Sequence, residues 1–278
     1  MKADRVPKAD RVWLALAGLG ALLWVIPFAW MAVASVREAG AGAPDLAALW
    51  PSGPFGWRNF ADAWSAGSFP LWYLNTLLVC GGILLIQCIT VSLAGYAFAR
   101  LRFRGATVLF YLFLLQLMLA PPILIVPNMA TLISLHLYDT LPGIMAPYCA
   151  SAFGVFLMRQ TFRSLPRDYE EAAVVDGASR LRIIWHVLLP LARPGLIAFA
   201  IVSVTSHWNE FLWPLMATSS PSNQVLTVGL ASFTSGAEAG SEWGVIAAGT
   251  FFVAAPLLVV FVLFQRRFVE SFTYSGIK

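Results

Sequence analysis

Glu170 and Glu171 stand side by side in a run that continues through Ala172-Ala173 and Asp176-Gly177-Ala178 and closes on Leu189-Pro190. Taken singly, Glu170, Glu171 and Asp176 read as a solvated helix face near inner-leaflet charge, and they form no catalytic set. A second polar group, Trp208-Asn209-Glu210, places one carboxylate at the end of an otherwise apolar stretch. Ionisable residues in such stretches are functional candidates by default, and His207, three residues before Glu210, is placed to pair with it on a helix. Nucleotide hydrolysis has no support: a P-loop requires a lysine after its glycines, and the only lysines are Lys2, Lys8 and Lys278. His136, His186 and His207 are scattered, with no His-Glu-x-x-His spacing, and no metal-ligand or nucleophile motif occurs.

The elements that must position these groups are apolar. Of 278 residues, 59% are hydrophobic and 12% charged, against roughly 45–50% and 25% in a soluble domain. Mean hydropathy is +0.75. Uncharged runs cover 12–36, 63–99, 105–138, 140–158, 194–209 and 243–265, and a bilayer-spanning helix needs about 20 apolar residues. The composition predicts an all-α polytopic membrane protein with six spans. The expected spans are about 12–35, 69–99, 105–138 (interrupted by Pro121, Pro122 and Pro127), 140–158, 194–215 and 243–265. The prolines should kink or break the third span in its outer half, and that break should face protein or a water-filled path.

The formal net charge of +4 is a matter of topology, not a footprint for nucleic acid. With a cytoplasmic N-terminus, 16 of the 18 Lys and Arg lie in inner segments and only Arg37 and Arg58 lie outside. By the positive-inside rule both termini are cytoplasmic. Cys80, Cys88 and Cys149 all fall in expected spans, so they read as small packed hydrophobes rather than as a disulfide framework. Ala32-Val33-Ala34 imitates a small-x-small cleavage site, but the apolar stretch before it is too long for a usual signal peptide, and an uncleaved first span is expected. Segment 37–68 shows no clear helical period.

The inner segment 159–193 is too long for an ordinary connector. Pro166 opens a short helix expected over 166–176, and Gly177 closes it in the manner of a left-handed cap. Ser179 is placed to N-cap a second helix that should stop at Pro190. In that helix Leu181, Ile184, Trp185 and Leu188 form one apolar face. Two short helices around a glycine bend make a knob suited to docking on a partner.

The spacing Glu171-Ala172-Ala173, three residues, Gly177, nine residues, Val187-x-Leu189-Pro190 resembles the EAA loop of ABC-importer permeases. Val187 stands where that pattern has isoleucine. The stretches 93–103, 208–215 and 265–269 resemble the carbohydrate-uptake branch, the maltose-type second permease subunit, so the resemblance covers about 70–278. The tail Ser271–Lys278 departs from the family by being shorter and less glycine-rich.

The resemblance implies a type I importer permease fold. Residues 1–68 would hold the N-terminal tail, first span and outer segment. Residues 69–265 would form a five-helix core including the coupling loop 159–193, and 266–278 the cytoplasmic tail. It also implies a second permease subunit, two ATPase subunits that carry the ATP and Mg, an extracytoplasmic substrate-binding protein, and a bacterial-type cytoplasmic (inner) membrane. No cofactor would be bound by this chain, and no nucleic acid would be a partner.

In such importers the coupling helix sits in an ATPase cleft. The residues implied are Glu170, Glu171, Ala172, Ala173, Asp176, Gly177, Ala178, Leu189 and Pro190. Candidates for the translocation path are Asn75, Tyr96, Asn128, Trp208, Asn209 and Glu210; Tyr73, Gln87 and Gln116 are further polar or aromatic residues in spans. For the residues within spans an interhelical hydrogen bond is the commoner use. The implied substrate is a sugar or related polyol, with glycerol phosphate as the alternative. A stand-alone secondary carrier would need mid-membrane carboxylates, and only Glu210 is at hand.

Overall fold

A computed structural model describes residues 8–37, 54–236 and 243–273. The elements are helical: α1 Lys8–Val36, α2 Arg58–Ala66, α3 Phe69–Arg100, α4 Ala106–Leu115, α5 Ile125–Ser134, α6 Leu141–Met145 and α7 Ala152–Ser164. They continue as α8 Asp168–Val175, α9 Arg180–Ile183, α10 Leu189–Leu191, α11 Arg193–Trp208, α12 Leu212–Ala217, α13 Leu226–Gly236 and α14 Trp243–Thr273. The described residues divide into two units, one lying within 1–68 and 230–255 and the other within 69–229 and 256–278.

Two helices are long and apolar enough to cross a membrane unaided, within Leu16–Val36 and over Phe69–Arg100. Three further pairs qualify only as bent spans: Ala106–Met118 with Pro121–Ser134 (103°), Leu141–Tyr148 with Ala152–Ser164 (49°), and Arg180–Leu191 with Arg193–Trp208 (82°). A shorter apolar helix covers Trp243–Val259. The break expected from Pro121-Pro122 therefore occurs between Met118 and Pro121. The fourth helix runs on to Ser164, six residues beyond the end expected from the apolar run, because Arg159 and Arg163 lie along a helix that continues past the apolar stretch.

In the first unit α1 presents Trp13, Leu14, Leu22, Trp24 and Phe28 outward, each more than half exposed, as a lipid-facing helix does. Segment 37–68, read as aperiodic, contains α2. Its Asn59 donates to the carbonyls of Ala34, Ser35 and Arg37 at 3.4, 3.1 and 2.8 Å. These bonds take up carbonyls in the last turn of α1 and just past its end. Ala63 then packs with Val245 and Ala248. Nine residues, many of them polar, give only a faint periodic signal.

The second unit is organised on α3, which at 1.5 Å per residue spans roughly 48 Å and exceeds the ~30 Å hydrocarbon core. Its buried face carries Val79, Ile83, Val91 and Tyr96. Close crossing with α7 and α11 is set by Gly154: a Cβ there would lie 2.5 Å from the Phe199 ring and 2.6 Å from Val91. Small residues at such crossings are how helices approach closely in lipid. One core cluster joins Val91, Tyr96, Met158, Phe162, Ile184, Leu188 and Phe199. Another joins Val79, Ile83, Leu132, Ile144 and Trp213.

Candidate functional site: a coupling knob and a polar cavity

The knob between α7 and α11 forms much as its residues dictate. Asp168, Glu170 and Glu171 occupy the first turn of α8, where carboxylates suit the helix dipole. Gly177 takes φ +77°, a left-handed conformation that is cheap only for glycine. Ser179 caps α9 by accepting from the Arg182 amide at 3.4 Å. The helix ends at Leu191, one residue past Pro190, and the chain then bends by 82° into α11. Between α9 and α10 the residues Ile184–Leu188 form a π-turn, which relieves the missing proline N–H and the clash of its ring with the preceding turn. That widened turn also rotates the apolar face. Ile183, Ile184, Leu188 and Leu189 are buried, whereas Leu181 is 61% and Trp185 44% exposed.

The two glutamates of the motif point to different neighbours. Glu171, Ala172, Val174, Val175 and Asp176 are exposed. Glu170 is partly buried: its Oε1 accepts from Tyr96 Oη at 2.7 Å and its Oε2 lies 3.5 Å from Arg100 Nε. Ala173 and Ala178 pack on the core cluster around Tyr96 and Phe162. Leu189 is buried and Pro190 exposed. Arg100 Nη2 also donates to the Leu165 carbonyl at 2.8 Å, and Arg159 Nε to the Phe98 carbonyl at 3.2 Å. Arg159 lies 4.2 Å from the Phe110 ring centroid, a cation–π contact.

Further along the second unit, a cavity of about 510 Å³ is lined by Gln87, Asn128, Tyr148, Ser203, His207 and Glu210, among others. Its volume lies within the usual range for small-molecule sites. The break between α4 and α5 contributes Pro121 and Pro122 to the wall, so irregular backbone lines a space, as expected in lipid.

Gln87 organises the polar wall. Its Nε2 donates to the Tyr148 carbonyl at 2.7 Å and lies 3.4 Å from His207 Nε2, and its Oε1 accepts from Ser203 Oγ at 2.6 Å. The amide donation assigns His207 the tautomer with its proton on Nδ1. The His207 ring packs 4.5 Å from that of Tyr148.

Not every path candidate reaches this space. Asn128 and Glu210 line it. Asn75 is buried and donates to the carbonyls of Ser222 and Gln224 at 2.8 and 2.9 Å, tying α3 to the connection before α13 rather than to another spanning helix. Tyr96, near the inner end of α3, reaches the knob instead, donating to Glu170. Trp208 is buried near the Tyr73 ring at 6.5 Å. Asn209 folds back to the Thr205 carbonyl at 2.7 Å. Glu210 makes no ion pair with His207 among the described residues. It sits in the break between α11 and α12, and its Oε1 faces the Trp213 amide at 3.5 Å near the start of α12. The sequence reading passed over Ser203 and Tyr148, although Tyr73 and Tyr96 were singled out on residue type alone. Gln87 was named with them, as one of two amides within the uncharged run 63–99.

A long central helix, bent companion spans and an acidic knob on a glycine bend define a transporter permease of the ABC-importer type. The family described as the binding-protein-dependent transport system inner membrane component matches residues 91–273, and this chain belongs to it. The chain is 32% identical to the diacetylchitobiose uptake system permease protein NgcG of Streptomyces coelicolor, over 97% of this chain and 90% of that one. It is 35% identical to the sn-glycerol-3-phosphate transport system permease protein UgpE of Yersinia pestis, over 80% and 82%. It is 32% identical to the arabinooligosaccharides transport system permease protein AraQ of Halalkalibacterium halodurans, over 77% and 76%. A crystal structure of a bacterial ABC transporter involved in alginate import contains a chain with the same fold, at TM-score 0.81 and 23% identity, covering 95% of this chain and 99% of that one.

Proposed function

We propose that this permease subunit forms, with a second permease, the path for a neutral sugar or oligosaccharide across a bacterial-type cytoplasmic membrane. It spans the membrane six times with both termini inside. It does not itself hydrolyse ATP; ATP and Mg belong to two ATPase subunits that receive the knob 159–193, and a binding protein delivers the substrate from outside. Exposed Glu171, Ala172 and Asp176 present an acidic, close-fitting surface suited to a cationic cleft. Joined rigidly to α7 and α11, that surface can transmit a push.

One observation carries the substrate class. The cavity wall among the described residues holds amide, hydroxyl, imidazole and carboxylate groups, and no Lys or Arg. Hydroxyl-rich neutral ligands satisfy such groups, whereas a phosphate would meet the Glu210 carboxylate with no cation to offset it. The sugar-system relatives agree with this reading, and the glycerol-phosphate relative is the rival it must beat. The test is reconstitution of both permeases, the ATPases and the binding protein in liposomes, with uptake measured for neutral oligosaccharides and for glycerol phosphate. Saturable ATP-dependent uptake of a neutral oligosaccharide is expected. Uptake confined to glycerol phosphate would overturn the substrate class.

A further inference from the structure

We infer that Glu170, alone among the acidic residues of the knob, is a positioning residue that latches the coupling helix onto the inner end of α3, so that α3 moves with the knob. The adjacent glutamates divide the work: Glu171 is exposed, whereas the Glu170 side chain is 20% exposed and is engaged by Tyr96 and Arg100 of the same chain. Tyr96 is 4% exposed, and the Arg100 side chain is 5% exposed, so the glutamate meets both partners out of water.

Arg100 bridges two elements at once. It donates to the Leu165 carbonyl just past α7 and makes a charge contact with Glu170 in the first turn of α8. Below Tyr96 lie Phe162, in edge contact at 6.4 Å between centroids, and the small faces of Ala173 and Ala178. The knob is joined covalently only to α7 and α11. The Tyr96–Glu170–Arg100 set supplies a third attachment, to the helix whose middle carries Gln87 at the cavity wall. A push on α8 therefore reaches Gln87 directly along one rigid helix. Buried pairs with a shared hydrogen bond specify geometry at a cost in desolvation, and removing one partner leaves the other uncompensated.

The inference rests on the knob being the ATPase contact, and the experiment separates the two. Full complexes carrying Tyr96→Phe, Glu170→Gln, the swap Arg100→Glu with Glu170→Arg, or Glu171→Lys are reconstituted with binding protein. ATPase co-purification and solute moved per ATP hydrolysed are measured for each. Tyr96→Phe and Glu170→Gln should keep the ATPase bound yet lower the transport-to-hydrolysis ratio by at least about fivefold. Arg100→Glu and Glu170→Arg are also measured singly, and the swap should recover part of the ratio that each single reversal loses.

Loss of ATPase co-purification in Glu170→Gln, with an unaltered ratio in Tyr96→Phe, would overturn the latch and make Glu170 a docking residue. An unaltered ratio in both variants, while Glu171→Lys uncouples, would sink the latch alone. Coupled uptake in Glu171→Lys would remove the coupling-loop reading itself.

Discussion

Tyr96 Oη donates to Glu170 Oε1 across 2.7 Å, joining residues 74 positions apart and tying the last turns of the longest spanning helix to the first turn of the coupling helix. The exposed neighbour Glu171 is thereby held in a defined direction, because α8 cannot rotate without breaking that bond.

The first prediction concerns Glu171. Glu171→Lys should leave the permease assembled and inserted but lower ATP-driven uptake about tenfold or more, since a lost charge-assisted contact is worth roughly 1.5–3 kcal/mol. Uptake assays alongside quantitative co-purification of the ATPase check this; wild-type uptake in the variant would contradict it.

Gly177 offers a backbone test. At φ +77° a β-branched residue is strained by roughly 1–2 kcal/mol, while open space surrounds the position. Gly177→Val should therefore shift the knob without any steric clash, reducing coupling more than thermal stability. Uptake per ATP and the melting temperature in detergent, measured together, distinguish that outcome from general destabilisation.

Gly154→Ala should act in the opposite sense. The new methyl would meet Phe199 and Val91 at 2.5 and 2.6 Å, and overpacking of this kind costs about 1–3 kcal/mol. A lower melting temperature is expected, with loss of uptake in proportion to loss of folded protein.

Gln87→Leu tests the cavity wall. The substitution leaves the Ser203 hydroxyl and the Tyr148 carbonyl without their partner, a cost of about 1–3 kcal/mol. It also removes an amide from the proposed path. Uptake should show a raised KM for the substrate, beyond what reduced protein amount explains; an unchanged KM would place Gln87 in a purely structural role.

Asp139 gives a pH prediction. Its carboxylate accepts from the Ser219 and Ser220 amides at 2.9 and 3.0 Å and from the Ser220 hydroxyl. The Ser220 bonds in particular hold it well below the usual carboxylate range. A depressed pKa stabilises the fold above the ordinary value near 3.9, and that contribution fades as pH falls below it. Between about pH 5 and 8 this contribution should be flat, dropping toward pH 3 in wild type and less so in Asp139→Ala, as read by melting temperature against pH.

Much of this protein was legible without coordinates. Apolar runs, basic asymmetry and the EAA spacing are one-dimensional signals, and each reflects a strong local penalty: charge in lipid, a translocated cation, a non-glycine residue at positive φ. The glycine bend and the serine cap appeared where local backbone chemistry put them. Helix α2 was missed because nine residues carry too weak a period. The second knob helix ends at Leu191, one residue past the expected stop, but holds a π-turn over Ile184–Leu188 that the sequence did not signal. The face predicted from Leu181, Ile184, Trp185 and Leu188 split for the same reason, since periodicity of 3.6 does not survive a widened turn.

By itself the sequence determined the apolar solvent this chain is built for, the position of the knob between α7 and α11 and the residues from which that knob is made. Only the tertiary structure decided which of two adjacent glutamates turns inward, that Arg100 serves the knob as well as topology, and that Gln87, Ser203 and His207 share one wall. Those outcomes depend on contacts between residues tens to more than a hundred positions apart. Such contacts arise from how helices cross, at points like Gly154, and no local propensity encodes a crossing.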